Sequence, residues 1–130
     1  MTPPLTERLA EALAQVLPAD TESDGALTVR YRGTLASLRV VSIADDLELV
    51  SLTQILAWDL PLTDGLRAHV AEQAALSQLG TLTLVEKDAQ DADLLLRYNF
   101  PGSGLTVDAL RTMVLLVLSK GADICAVIER

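Results

Sequence analysis

Hydrophobic residues recur along this chain with two different periods, and the switches between them divide it into elements. Leu5, Leu9, Ala12, Leu13, Val16 and Leu17 follow an i, i+4, i+7 spacing, which predicts an amphipathic helix stopped by Pro18. Thr2 ahead of Pro3, or Thr6 one turn later, offers a hydroxyl to cap its start. The polar stretch Ala19 to Gly25 reads as a loop. Leu27, Val29 and Tyr31 then alternate with Thr28, Arg30 and Arg32, the period of a strand with one wet face. After a turn at Gly33-Thr34, Leu35 to Ile43 and Leu47 to Trp58 predict two further strands joined across Ala44-Asp45-Asp46, where Asp side chains can bond nearby backbone. The third strand is apolar at both parities. Leu47, Leu49, Ile55 and Ala57 share one face, and Val50, Leu52, Leu56 and Trp58 the other, which fits a strand covered on both sides.

Pro61 ends that strand and Thr63 caps a second helix, with Asp64 placed favourably in its first turn. Leu66, Val70 and Ala74 line its apolar face, Ala71, Ala75 and Leu79 widen it, and Gly80 is a closing C′ glycine. Thr81 to Val85 and Asp93 to Phe100 form a second hairpin across the acidic loop Glu86 to Asp91. The turn Pro101-Gly102-Ser103-Gly104 leads to a third helix capped by Thr106, with Lys120 near its negative end and Gly121 as a terminating residue. Ile124, Val127 and Ile128 keep helical spacing through Ala122 to Arg130. The run Met113 to Leu118 covers every side of the third helix with apolar side chains, so the sheet or another chain must enclose it. The order α-β-β-β-α-β-β-α predicts an α+β fold: a five-stranded, mainly antiparallel sheet with three helices, in one domain spanning 1–130.

Composition narrows the function. A chain of 130 residues, half of them hydrophobic, builds one core and is not disordered; aromatics are 3%, so Leu, Val and Ala fill it. The net charge of −8 repels phosphate, arguing against nucleic acid and anionic membranes as partners. The longest apolar run is six residues, against the roughly 20 that a membrane span needs. The start, MTPPLTERLA, lacks the basic and apolar regions of a signal peptide, and a lone Cys125 permits no intramolecular disulfide. Together these predict a cytoplasmic protein.

No catalytic constellation emerges. His69 is the single histidine, lying beside the apolar face of the second helix with Glu72 one turn on, and reads as a partly exposed helix residue. Cys125 has only Lys120 and Arg130 nearby to lower its pKa and reads as structural. Gly102-Ser103-Gly104 precedes a helix as a phosphate loop would, but Val107 replaces the last glycine of G-x-G-x-x-G and no Gly-Lys-Ser/Thr follows. Glu86, Asp88, Asp91 and Asp93 lack the glycine and distal glutamate of a calcium loop. Asp59 has no evident acid–base partner. Arg30, Arg32 and Arg39 form a local positive patch, explained by cross-strand pairing with Glu48 or another acid, or by contact with an acidic peptide. These residues predict no enzyme, no cofactor and no metal.

Element order, size, acidity and the Leu-rich last helix resemble the class I type III secretion chaperone fold. The words Leu96-Arg97-Tyr98-Asn99-Phe100-Pro101, Gly104-Leu105-Thr106 and Ala109-Leu110-Arg111, with Ser51 to Pro61 and Leu79-Gly80-Thr81, are similar to the YbjN-like group of bacterial proteins. That resemblance implies a homodimeric, non-catalytic protein that binds an extended or partly unfolded client peptide, and supplies no catalytic residue. Expected contacts, chosen as apolar and near plausible edges, are Leu5 and Leu9 on the first helix and Leu82, Leu84, Leu94 and Leu96 on the second hairpin. The alternatives are a small-molecule- or nucleotide-binding domain using His69, Asp59 or the Gly102–Gly104 turn, or a structural subunit of a larger complex.

Overall fold

The computed structural model describes residues 2–129. The elements are α1 (Leu5–Ala14), β1 (Ala19–Thr21), β2 (Leu27–Tyr31), β3 (Thr34–Ala44), β4 (Leu47–Pro61), α2 (Asp64–Leu76), β5 (Thr81–Glu86), β6 (Asp91–Pro101) and α3 (Val107–Ile128). Arg130, the last residue of the expected helical continuation, lies outside the described residues. The sheet has six strands in the order β1-β2-β3-β4-β6-β5, and every neighbouring pair is antiparallel. The sixth strand corrects the expected five. Ala19-Asp20-Thr21 is fully exposed and has no apolar alternation, so it is held by its pairing with Leu27–Val29 rather than by burial. From β4 the chain crosses through α2 to the edge strand β5, and β6 returns to fill the gap between them.

All three helices lie on one side of the sheet: α1 and α3 pack on each other and on the central strands, and α2 on β5 and α3. Strand β4 shows the consequence. Val50, Leu52, Gln54 and Leu56 are buried beneath the helices, while Leu49, Ser51, Thr53 and Ile55 on the opposite side stay half-exposed. The expectation of two covered faces is therefore corrected to one. Register shifts at Ile55/Ala57 and Ala57/Leu60 bend the end of β4, where Asp59 takes a positive φ of 54°. They leave Trp58 46% exposed, although the alternation put it with the buried set.

Helix ends also depart from the sequence reading. Neither Thr2 nor Thr6 caps α1; Pro4 holds the N-cap position and no side chain bonds there. Thr63 and Thr106 do cap, accepting from the backbone N–H of Leu66 and Ala109 at 3.0 and 3.1 Å. Helix α2 stops at Leu76, and Gly80 lies in the following loop with φ +87°, where an added Cβ would sit 2.7 Å from the Arg97 carbonyl oxygen. Helix α3 runs straight through Gly121. The cause is Gln54, fully buried in the middle of the sheet, whose amide would collide with any Cβ at Gly121. Gln54 Nε2 donates to Thr34 Oγ1 (2.9 Å) and to the Leu118 carbonyl (3.1 Å), fastening α3 to β3 and β4, and its Oε1 accepts no hydrogen bond. This glycine serves helix–sheet approach, not termination, and Lys120 is an interior residue of the helix.

Two arginines fix the helices. Buried Arg8 of α1 donates to the carbonyls of Pro3 (3.0 Å), Gly102 (3.4 Å), Ser103 (3.2 Å) and Leu105. Arg111 of α3 donates to the Ala12 carbonyl (2.8 Å) near the C-terminal end of α1, where the helix dipole favours a cation.

Candidate functional site

The structure places the six expected contact residues in or against the core. Leu5, Leu9, Leu94 and Leu96 are essentially inaccessible, Leu82 is buried, and half-buried Leu84 packs against the same cluster. The register explains it. Leu82 stands opposite Leu96 and Leu84 opposite Leu94, so all four form one block on the helix-covered side. All six serve the core, with Leu84 keeping part of its surface exposed.

Most of the remaining sequence candidates resolve into structural roles. The Gly102–Gly104 turn is occupied by its own protein: Arg8 takes its carbonyls, and the Glu48 backbone N–H donates to Ser103 Oγ (2.8 Å). Asp88 accepts from the backbone N–H groups of Gln90 and Asp91 (2.7 and 2.9 Å), which hold its carboxyl below the usual range and shape the loop tip. Glu86 bridges to Arg67 (3.1 Å). Lys87 binds both Asp59 and Asp93, the latter at 3.0 Å, and the Asp59 N–H donates to Asp93 (3.0 Å). Asp59, for which the sequence showed no acid–base partner, is part of a staple that ties the β5–β6 hairpin to the bend in β4. That staple lowers the Asp93 pKa, chiefly through the Asp59 N–H, and raises that of Lys87, chiefly through Asp59.

Half-buried His69 faces a shallow cleft of about 420 Å³ with Leu60, Leu66 and Ile128. Cys125 donates from Sγ to the Leu56 carbonyl (3.0 Å), and burial, followed by the nearby Glu129 carboxylate, pushes its thiol pKa up, away from nucleophilic use. In the arginine patch, Arg39 pairs with Asp24 (2.6 Å) and Arg32 with Asp123 (3.5 Å), rather than with Glu48.

Sequence reasoning missed a groove between two helices. The end of α2, the loop after it and the outer side of α3 enclose a groove of about 670 Å³. Its apolar wall is Leu76, Leu79, Leu116, Ile124 and Val127, with Lys120 and Asp123 among its polar members. Leu76 is 71% and Leu116 44% exposed, and with Leu79, Ile124 and Val127 they make a contiguous apolar wall rather than isolated surface leucines. The α3 contributions recur at i, i+4, i+7/i+8 and i+11 from Leu116, so the wall follows the helix for about three turns. The signal was the surplus apolar side of α3. Its inner side, Leu110, Val114, Val117 and Leu118, accounts for the sheet contact and leaves Leu116 over. Among the described residues, no helix is long and apolar enough to cross a membrane.

In sequence, the chain matches no family model and no curated protein. In structure it is similar to the crystal structure of YbjN, a candidate transcription regulator from E. coli, with a TM-score of 0.65 over 95% of this chain and 89% of that one, at 17% identity. The fold assembled here from alternating strands and three one-sided helices is thus a YbjN-like fold, adopted at a sequence distance where little but the architecture is shared.

Proposed function

We propose that the protein is a non-catalytic, peptide-binding adaptor with chaperone-like character, working as a homodimer that holds a client segment in the α2–α3 groove. The observation that carries this reading is the groove itself: an apolar wall on two rigid helices, with two exposed leucines and polar residues beside it. Such a surface suits an amphipathic helix laying its apolar side between two others. A helix in the groove would hide Leu76 and Leu116 from water, contributing about 1.5–3 kcal/mol per fully buried leucine before the cost of ordering the client. The YbjN-like fold is consistent with a small adaptor or regulator. Of the residues the small-molecule alternative would use, Asp59 is tied to Lys87 and the Gly102–Gly104 turn to Arg8, and His69 alone faces a cleft, a shallow one, so that alternative has little support.

The test is peptide display against the purified protein, followed by titration of selected peptides against the parent, Leu76→Glu, Leu116→Glu and Leu94→Ala. The expected peptides carry apolar residues at i, i+3/i+4 and i+7. Their affinity should fall at least tenfold in the two Glu variants with the unfolding temperature nearly unchanged, whereas folded Leu94→Ala should bind normally. Peptides that bind the Glu variants as tightly as the parent would remove the groove from the proposal. A monomeric mass by light scattering at micromolar concentration would remove the homodimer.

A further inference from the structure

We draw no further inference here: the strongest candidate, the outer edge of strand β5 together with the largely exposed helix α2 beside it, carries nothing because nothing in the structure shows what covers it.

Discussion

The two faces of the sheet are made from the same strands, yet they obey different rules. Along β4, Val50, Leu52, Gln54 and Leu56 disappear under α1 and α3, while Leu49, Ser51, Thr53 and Ile55, one step out of phase, remain partly wet. On the covered side most side chains are aliphatic and the buried polar exceptions are anchored: Gln54 through its Nε2 to Thr34 and Leu118, and Arg8 to four carbonyls. On the open side, serine, threonine and arginine alternate with leucine and isoleucine, and the polar groups meet solvent or exposed partners of the same chain, as Arg39 does with Asp24 and Thr28 with Glu22. The difference teaches that the covered face carries most of the folding free energy, while the open face contributes little to it. Losses of stability should therefore follow the even positions of β4 and β6 and spare the odd ones.

The largest effect should come from adjacent leucines on β6. Leu94 is inaccessible and Leu95, its neighbour, faces outward and is half-buried. Leu94→Ala is expected to cost about 2–5 kcal/mol, the range for deleting a buried leucine side chain and leaving a cavity. Leu95→Ala removes only cross-strand contact with Ile55 and Thr83 and should cost under about 1 kcal/mol. Urea unfolding of the pair measures both. Equal losses would mean that something covers the open face in the free protein, and the contrast between the faces would fail.

A second effect, somewhat smaller, tests how the covered face is closed. Gly121→Ala should gain about 1 kcal/mol of helix propensity, yet the new methyl meets the Gln54 amide, so a net loss of about 1–3 kcal/mol is expected. Gln54→Ala also destabilises, by opening a cavity and releasing Thr34 and the Leu118 carbonyl. In the double variant the alanine methyl enters the space the amide vacates. The double-mutant cycle should therefore show a coupling of at least about 1 kcal/mol in the favourable direction. Strict additivity would mean that α3 does not rest on Gln54.

What could be read from the chain divides along the same line. Periodicity located three helices and five of the six strands, because those elements repeat apolar residues over several turns or pleats. Strand β1 escaped because three exposed residues joined only by backbone hydrogen bonds leave no side-chain period. Gly121 was misread because its reason is Gln54, 67 positions away in sequence and adjacent only after α3 has docked. The expected contact residues turn out to be core residues for a related cause. Leu82, Leu84, Leu94 and Leu96 are apolar at strand period, and that signal is the same whether a helix or a client covers the face. The surplus was legible in composition, as an over-apolar α3, but not its location: only the docked helices show that Leu116 is left outside and joined by Leu76.

The smallest effect concerns the staple at the end of the open face, and its sign follows from the direction of the shifts. Asp93 is held below the ordinary carboxylate range by the Asp59 N–H and by Lys87, so its contribution is complete above the unfolded pKa of about 4 and is lost as pH falls through the folded value. Lys87 is shifted upward, so its share is complete below the ordinary lysine range and is lost only in strong alkali. Between pH 5 and 9 neither group changes charge, and stability should be flat with respect to this staple. Below pH 4, the unfolding temperature of the parent should fall faster than that of Asp93→Asn, and the two should converge near pH 2. The gap at neutral pH should be no more than about a degree or two, because exposed ion pairs are screened by water. A gap as large as that produced by Leu94→Ala would show that the bend in β4, with Asp59 at positive φ, depends on this pairing for its shape. The open face would then be held by its charges as the covered face is held by its leucines, and the division of labour between the two faces would not stand.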